Sequence, residues 1–461
     1  MKTPNMLDAK KRNQNEIKYV DYDKNYDKFG SGKSFFVRTY GCQMNEHDSE
    51  KIRGMMKSVG FKLVDSIENA DVVILNTCAI RENAHDKVFG FLGVLKHLKE
   101  SKPDLLIGIC GCMAQEEVVV KDILTKYKYV DFVCGTHNLD NLISLVKNKI
   151  DTKKQQIEVL SYEGDVVENI PVLRESKYSA WVDIIYGCDK FCTYCIVPYT
   201  RGTQRSRKHE AIVEEVKELV KNGYKEVTLL GQNVNAYGKD LYSDYNLANL
   251  LSDVSDTGIE RVRFVTSHPW DFTDEMVDII ASRDNIMPYI HLPLQSGSDK
   301  ILKLMNRKYT SSEYLKLYNS IRSKVKNSSV TTDIIVGFPG ETEEDFEDTL
   351  NYCKKIGFSK IHVFPYSDRN GTVASRMPNH VPRSIVKERA RRLIELSDSL
   401  EKEYFKKFIN VEKEVLVEEY KNDYYHGFTE NYIPVKLKNV TSNEIIKVKL
   451  TNENINYNLE D

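Results

Sequence analysis

This sequence predicts a three-part α/β protein, and three observations carry the prediction. From Lys33 to about residue 150, short apolar runs alternate with amphipathic stretches, the pattern of a mostly parallel sheet covered by helices. From Ala180 to about residue 366, strand and helix signals alternate through six strands, as in a partial (β/α)6 barrel smaller than the roughly 250 residues of a full eight-unit barrel. Beyond residue 408 the helical period gives way to strand-like runs, so a small β-barrel module is expected to close the chain.

In chain order, residues 1–32 lack periodicity and end in Gly30-Ser31-Gly32, which predicts a disordered extension. Residues 33–150 form the first α/β domain, with strands at SFFVRTY (34–40), DVVILNT (71–77), LLIGIC (105–110) and YVDFVCG (129–135) and helices over 48–58 and 84–100. Residues 151–177, with Glu163-Gly164-Asp165 and Pro171, read as a linker. The barrel with its trailing helix spans 178–408. Its strands are WVDIIYG (181–187), VTLLG (227–231), RVRFVTS (261–267), YIHLPL (289–294), TTDIIVG (331–337) and KIHVFPY (360–366), and its helices cover 209–221, 273–282, 311–326 and 343–356. Asn222-Gly223 ends the first of these helices as a glycine cap. A charged helix over 384–408 precedes the β-module of 409–461, with strands in 411–420, 427–440 and 444–451.

With 461 residues the chain can bury sizeable cores without crosslinks. A net charge of −2 excludes a chain-wide cationic field, so any nucleic-acid grip has to be local. No apolar run of about 18 residues and no signal-peptide pattern appears, which predicts a cytoplasmic protein. In that reducing compartment nine cysteines are not a disulfide framework, and metal binding becomes the question.

Cys188, Cys192 and Cys195 stand as CxxxCxxC in YGCDKFCTYC, directly after the strand that opens the barrel. Thiolates suit zinc or iron–sulfur clusters. A structural zinc needs a fourth ligand close by, and the nearest downstream histidine is His209, beyond an arginine-rich loop. Three ligands on a four-iron cluster instead leave one iron open to a small molecule, at the strand end where barrels place their chemistry.

Cys42, Cys78 and Cys112 follow three successive strands, 36 and 34 residues apart. If those strands are parallel neighbours, the three thiols share one sheet edge, where open α/β folds hold ligands. Buried cysteines also serve as small hydrophobes, and Cys110, Cys134 and Cys353 are read that way. Cys110 competes with Cys112 for the third place: two residues apart in a strand, the two are expected to share a face.

CxxxCxxC after the first strand of a (β/α) domain, with Tyr194 before the last cysteine, resembles the radical S-adenosylmethionine (radical SAM) superfamily. The phrases YGCQMN, NTCAIRE and GCMAQ resemble the amino-terminal domain of its methylthiotransferase branch, and the likeness runs from about residue 34 to the end. The resemblance implies two [4Fe–4S] clusters, one on Cys188, Cys192 and Cys195 that binds S-adenosylmethionine, and an auxiliary one on Cys42, Cys78 and Cys112 that carries or relays sulfur. No side-chain catalyst is expected beyond those ligands. Cofactor contacts are expected from Tyr194, Gln232, Ser267 and Gln295, and from Gly337, Pro339, Gly340 and Glu341 in the GFPGE turn, which matches the adenine-contacting strand end of the superfamily.

The loop TRGTQRSRKH places Arg201, Arg205, Arg207 and Lys208 together as an expected phosphate grip. The closing strands resemble a TRAM domain, a small RNA-binding β-barrel, with Tyr420, Tyr424, Tyr425, Phe428 and Tyr432 as its aromatic half; Tyr425 and Phe428 are the expected RNA contacts. LLGQNVNAYG, FVTSHPWDF and HLPLQSGSDKILKLMNRKYT are most similar to the bacterial branch acting on tRNA. That branch adds a methylthio group to C2 of N6-isopentenyladenosine at position 37, beside the anticodon. Related branches act on threonylcarbamoylated adenosine or on a ribosomal-protein aspartate, and a non-enzymatic RNA-binding protein with two structural metal sites is the alternative of another class. The expected partner is tRNA, the enzyme being a monomer that also needs an electron donor and a sulfur source.

Overall fold

A computed structural model describes residues 2–5, 9, 16–23, 26–79 and 82–459. The chain divides into two compact units. One comprises 1–175, 186–190 and 195–205, the other 176–185, 191–194 and 206–461.

The first unit is built on a six-stranded parallel sheet in the order Lys62–Leu63, Ser34–Tyr40, Val72–Thr77, Leu106–Gly111, Phe132–Cys134 and Gln156–Glu158. Its central strand, VVILNT, is buried at every position, as a continuous apolar run demands when helices cover both faces. The helices Gln43–Ser58 and Glu82–Ser101 begin a few residues before the expected ranges. All six strands run the same way, so their carboxyl ends share one edge.

Two expectations are corrected here. The span 151–177 supplies the sixth strand, Gln156–Glu158, and a further strand, Val166–Glu168, rather than only a linker. Nor is the extension without structure. Tyr19–Asp21 pairs in parallel with Val166–Glu168, and the Lys2 N–H donates to Ile157 O; residues 1, 6–8, 10–15, 24 and 25 of the extension lie outside the described residues. The polar composition of these segments conceals pairing at a sheet edge, which needs backbone groups rather than apolar side chains.

In the second unit six parallel strands form two triplets. One has the order Arg261–Phe264, Glu226–Leu230, Ser179–Asp183, the other Tyr289–His291, Ser329–Val336, Lys360–Pro365, and an isolated parallel bridge joins Val262 of the first to Ile286, just ahead of the second. This is the partial (β/α)6 barrel that the sequence predicts. Its helices include His209–Lys221, ended by Gly223 at φ +83°, and Ser311–Lys324 and Glu343–Ile356, each opened by a Thr capping box. A helix absent from the sequence reading, Leu247–Ser255, is started by an Asn246 capping box.

Helix Arg383–Lys406 leads to a four-stranded antiparallel sheet ordered Pro434–Leu437, Tyr424–Thr429, Glu412–Lys421, Ile445–Lys449. That sheet packs at the amino-terminal ends of the barrel strands. Arg261 Nη1 and Nη2 donate to Phe428 O (3.0 Å) and Glu414 O (2.8 Å), while Arg263 Nη2 donates to Thr429 O (3.0 Å). Among the described residues no helix is long and apolar enough to cross a membrane.

Candidate functional site

Cys42 lies two residues past the strand Ser34–Tyr40, Cys78 directly past Val72–Thr77 and Cys112 directly past Leu106–Gly111, so the parallel register delivers all three to one edge of the first unit. Their electrostatic surroundings agree with that placement. A hydrogen bond from Cys78 is the main influence carrying the Cys42 thiol down to about 6, with Arg201 and the backbone N–H groups of Asn45 and Met44 assisting against burial. Burial pushes the Cys112 thiol up, opposed chiefly by Arg201. Of the phrase NTCAIRE, Ile80 and Arg81 lie outside the described residues.

Cys110 does not compete. Gly111 adopts φ +93°, which only glycine takes readily and which breaks strand parity, so Cys110 stays in the apolar core beside Cys134 while Cys112 turns into a short helical turn, Cys112–Gln115. A side chain at 111 would also meet Thr77 O at 2.4 Å. The expectation that 110 and 112 share a face fails for this reason. Cys353 is buried in the barrel core, as expected of a packing residue.

The arginine loop departs from its reading as a phosphate grip. Arg201 is buried, its Nε donating to Cys112 Sγ (3.0 Å) and its Nη2 to Asp48 Oδ2 (2.6 Å). Arg205 is buried on Gly164 O and Arg201 O, and in the second unit Arg207 is buried on Asp183 O and Glu215. Only Lys208 of the four is exposed. Such a run reads as surface because charge normally seeks water; here carbonyls and carboxylates satisfy it inside.

Asp48 was not anticipated. It sits on the helix Gln43–Ser58, which buries Asn45, His47, Asp48, Glu50, Lys51 and Arg53. A helix this polar and yet this buried is the signal that could have found it. Asn45 Nδ2 donates to Asn76 Oδ1 (3.1 Å) and Thr77 O (3.2 Å), fixing the start of the helix against the central strand.

In the CxxxCxxC loop, Cys188 and Cys195 belong to the first unit and Cys192 to the second. The Cys188 N–H donates to Gly202 O (3.2 Å). Cys192 is buried, with Arg307 Nη1 at 3.4 Å from its sulfur and at 2.6 Å from His268 Nε2. Arg307 and His268 lay inside phrases the sequence singled out, but nothing in the pattern pointed to either as a neighbour of Cys192.

Gln232, Ser267, Gln295 and Gly337 each follow a successive barrel strand and so line its carboxyl edge. Among the described residues Ser267 Oγ is buried and finds no hydrogen-bond partner. Thr266 and Gln295 hold φ +66° and +74°, strained values for non-glycine residues of the kind that gather at binding sites. Tyr194 packs edge-on against Phe338, 6.5 Å between ring centres.

Gly337 and Gly340 take positive φ (+77° and +87°) on either side of Phe338 and Pro339. Glu341, expected among the cofactor contacts, instead braces this turn: its Oε2 accepts from the Gly337 N–H (2.7 Å) and from Arg389 Nη1 (2.7 Å). Burial raises its carboxyl to about 7 in spite of those two donors. The Arg389 and Glu341 side chains are 4% and 1% exposed, so removing one leaves the other stranded. Arg389→Ala is expected to cost about 3 kcal/mol of stability. The folded-state pKa of Glu341 lies above its unfolded one, so the ionised form disfavours the fold and the loss deepens as pH rises through 7. Thermal midpoints of both proteins at pH 6 and pH 8 check this.

In the closing sheet Phe428 is corrected. Its ring stacks on Tyr432 (4.5 Å, 13°), which packs on Tyr289 (4.6 Å), so it belongs to the joint with the barrel. Tyr425 stays half-buried beside the exposed Tyr420, and Lys436 and Lys438 lie over the Tyr424 ring at 5.6 and 4.7 Å.

The donor chemistry, two trios of cysteine thiols, is of the kind that suits iron–sulfur clusters. Among the described residues no three His, Cys, Asp or Glu side chains close on one metal ion. A multi-iron cluster accepts each thiolate on a different iron, and N–H donors to sulfur, such as Arg201 Nε, belong to its usual surroundings.

Comparison with known proteins agrees. Residues 182–353 match the radical SAM superfamily and residues 34–135 match the uncharacterized protein family UPF0004. The tRNA-2-methylthio-N(6)-dimethylallyladenosine synthases of Staphylococcus aureus strains JH9 and COL are each 52% identical over 394 residues, 85% of this chain and 77% of theirs. Among solved structures, the radical S-adenosylmethionine methyltransferase TsrM from Kitasatospora setae aligns with TM-score 0.53 at 13% identity over 75% of both chains, a likeness of fold alone. The chain belongs to the radical SAM family of tRNA-2-methylthio-N(6)-dimethylallyladenosine synthases.

Proposed function

We propose that this chain methylthiolates C2 of N6-isopentenyladenosine at position 37 of tRNA. The observation that carries the reading is the gathering of Cys42, Cys78 and Cys112 on one sheet edge in a chain that also bears CxxxCxxC and is 52% identical to enzymes named for that product. Cys188, Cys192 and Cys195 would hold one [4Fe–4S] cluster, and Cys42, Cys78 and Cys112 the other.

When bound, the two clusters and S-adenosylmethionine supply the radical and the sulfur that substitution at an unactivated sp² carbon requires. The chain's own residues orient and enclose. Ser267 Oγ, Gln232 and Gln295 offer polar atoms at the barrel's carboxyl edge, and the turn held by Glu341 and Arg389 presents backbone beside Tyr194 and the buried Phe338. Gly337 and Gly340 give that turn its positive φ values, and a side chain at 337 would meet Val386 at 2.4 Å.

On the RNA side, Tyr420, Tyr424 and Tyr425 with Lys436 and Lys438 combine rings and cations, the pairing that stacks bases and follows a phosphate backbone. Lys208 is the remaining exposed cation of the basic loop. An unpaired anticodon loop lets the target base be splayed out at modest cost.

Mass spectrometry of tRNA from cells lacking the protein tests the reading. The 2-methylthio-isopentenyladenosine nucleoside is expected to vanish while isopentenyladenosine accumulates; unchanged levels, with loss of the threonylcarbamoyl counterpart or of the methylthio-aspartate, transfer the activity to a related branch.

A further inference from the structure

We propose that Arg201 is a positioning residue for the auxiliary cluster: its guanidinium sets a buried positive charge and an N–H donor against the sulfur shell, raising the cluster's reduction potential. The proposal rests on reading Cys42, Cys78 and Cys112 as cluster ligands. Its observation is separate, a guanidinium shared between a cysteine sulfur and a carboxylate, Nε to Cys112 Sγ at 3.0 Å and Nη2 to Asp48 Oδ2 at 2.6 Å.

Both ends of this link are fixed. The Arg201 N–H donates to Val197 O (2.8 Å) at the end of the helix Val197–Thr200, and Arg201 O accepts from Arg205 Nη2 (3.2 Å). Asp48 is carried by the helix that starts directly after Cys42. The side chains of Arg201 and Asp48 are 7% and 9% exposed.

Arginine stays charged at every accessible pH, and burying it is unfavourable unless anions surround it. A neutral thiol is a weak acceptor and a poor reason to place a guanidinium there. Three thiolates around iron are a strong reason, since the shell is anionic and becomes more so on reduction. Hydrogen bonds to sulfur and net local charge are the protein's main means of setting such a potential. Asp48 holds the guanidinium in place and moderates its charge, so the two residues should act in opposite directions.

The test uses full-length protein carrying Cys192→Ala, which leaves a single cluster to titrate, with R201Q, R201K or D48N added one at a time. Each protein is reconstituted anaerobically, its iron counted and its reduction midpoint measured potentiometrically. R201Q is expected to keep about four irons, the content of one cubane, and to shift the midpoint to more negative potential. D48N shifts it to more positive potential. R201K, which keeps the charge but not the two-armed geometry, falls between R201Q and the parent.

An unmoved midpoint in R201Q, or shifts of the same sign in R201Q and D48N, overturns the role. Should R201Q lose its iron, D48N decides, and a midpoint there that is unmoved or more negative overturns it equally. A parent protein that binds no iron, or that keeps its iron when Cys78→Ala is added, overturns the reading of the cysteine trio and with it the role of Arg201; the iron count alone identifies that outcome.

Discussion

Replacing Cys192 with alanine is expected to abolish release of 5′-deoxyadenosine, a loss of more than about 10⁴-fold on the scale of enzymatic rate enhancements. The reason is local. Cys192 is the buried member of CxxxCxxC within the second unit, and the loop around it is pinned independently of its sulfur: the Thr193 N–H donates to Met305 O (3.1 Å), Thr193 Oγ1 donates to Leu304 O (2.9 Å), and Thr193 O accepts from the Ala374 N–H (2.8 Å). Alanine therefore removes a ligand atom without releasing the loop. What remains is Arg307, which loses one acceptor but keeps Pro293 O (2.9 Å), Tyr309 Oη (2.9 Å) and His268 Nε2. Circular dichroism should be unchanged while reductive cleavage of S-adenosylmethionine, followed by chromatography of the nucleoside, falls to background. Cleavage that persists at the wild-type rate removes Cys192 from the ligand set.

The fold was legible wherever burial writes a period into the residues. DVVILNT is apolar because its strand is covered on both faces, and TTDIIVG because it is the middle strand of its triplet. The gathering of Cys42, Cys78 and Cys112 was legible in part for a topological reason: parallel strands joined by helices put like ends on one edge, whereas the preference for Cys112 over Cys110 leaned on the family resemblance. What stayed hidden depends on tertiary pairing. Gln156–Glu158 and Tyr19–Asp21 carry no apolar run because an edge pairing draws on backbone groups. Arg201, Arg205 and Arg207 look like solvated surface because no local pattern reveals that Asp48, Gly164 O and Asp183 O lie waiting far away in the chain. Phe428 looked like an RNA platform because an aromatic on a small sheet is ambiguous until the barrel end it covers is known.

Cys78→Ala should separate the two halves of the reaction: 5′-deoxyadenosine release stays close to wild type, iron falls by about four per chain, and the methylthio product disappears. Cys78 belongs to the first unit, 1% exposed at the end of a wholly buried strand, whereas Cys192 and its partner Arg307 belong to the second. Loss of one sulfur from a small side chain leaves the strand's apolar packing in place, so the unit should still fold. Its effect on the other thiols is direct: without the hydrogen bond from Cys78, the Cys42 thiol returns toward its ordinary, higher pKa and is a poorer ligand at neutral pH. Two cysteines and a buried guanidinium then face a site that needs three thiolates, and Arg201 is left with Asp48 as its anionic partner beside the Cys112 sulfur. The discriminating measurement compares the two variants side by side. Equal loss of cleavage in Cys78→Ala and Cys192→Ala would mean that the two sets of cysteines serve one centre, whereas retained cleavage with no product assigns the radical to one set and the sulfur to the other.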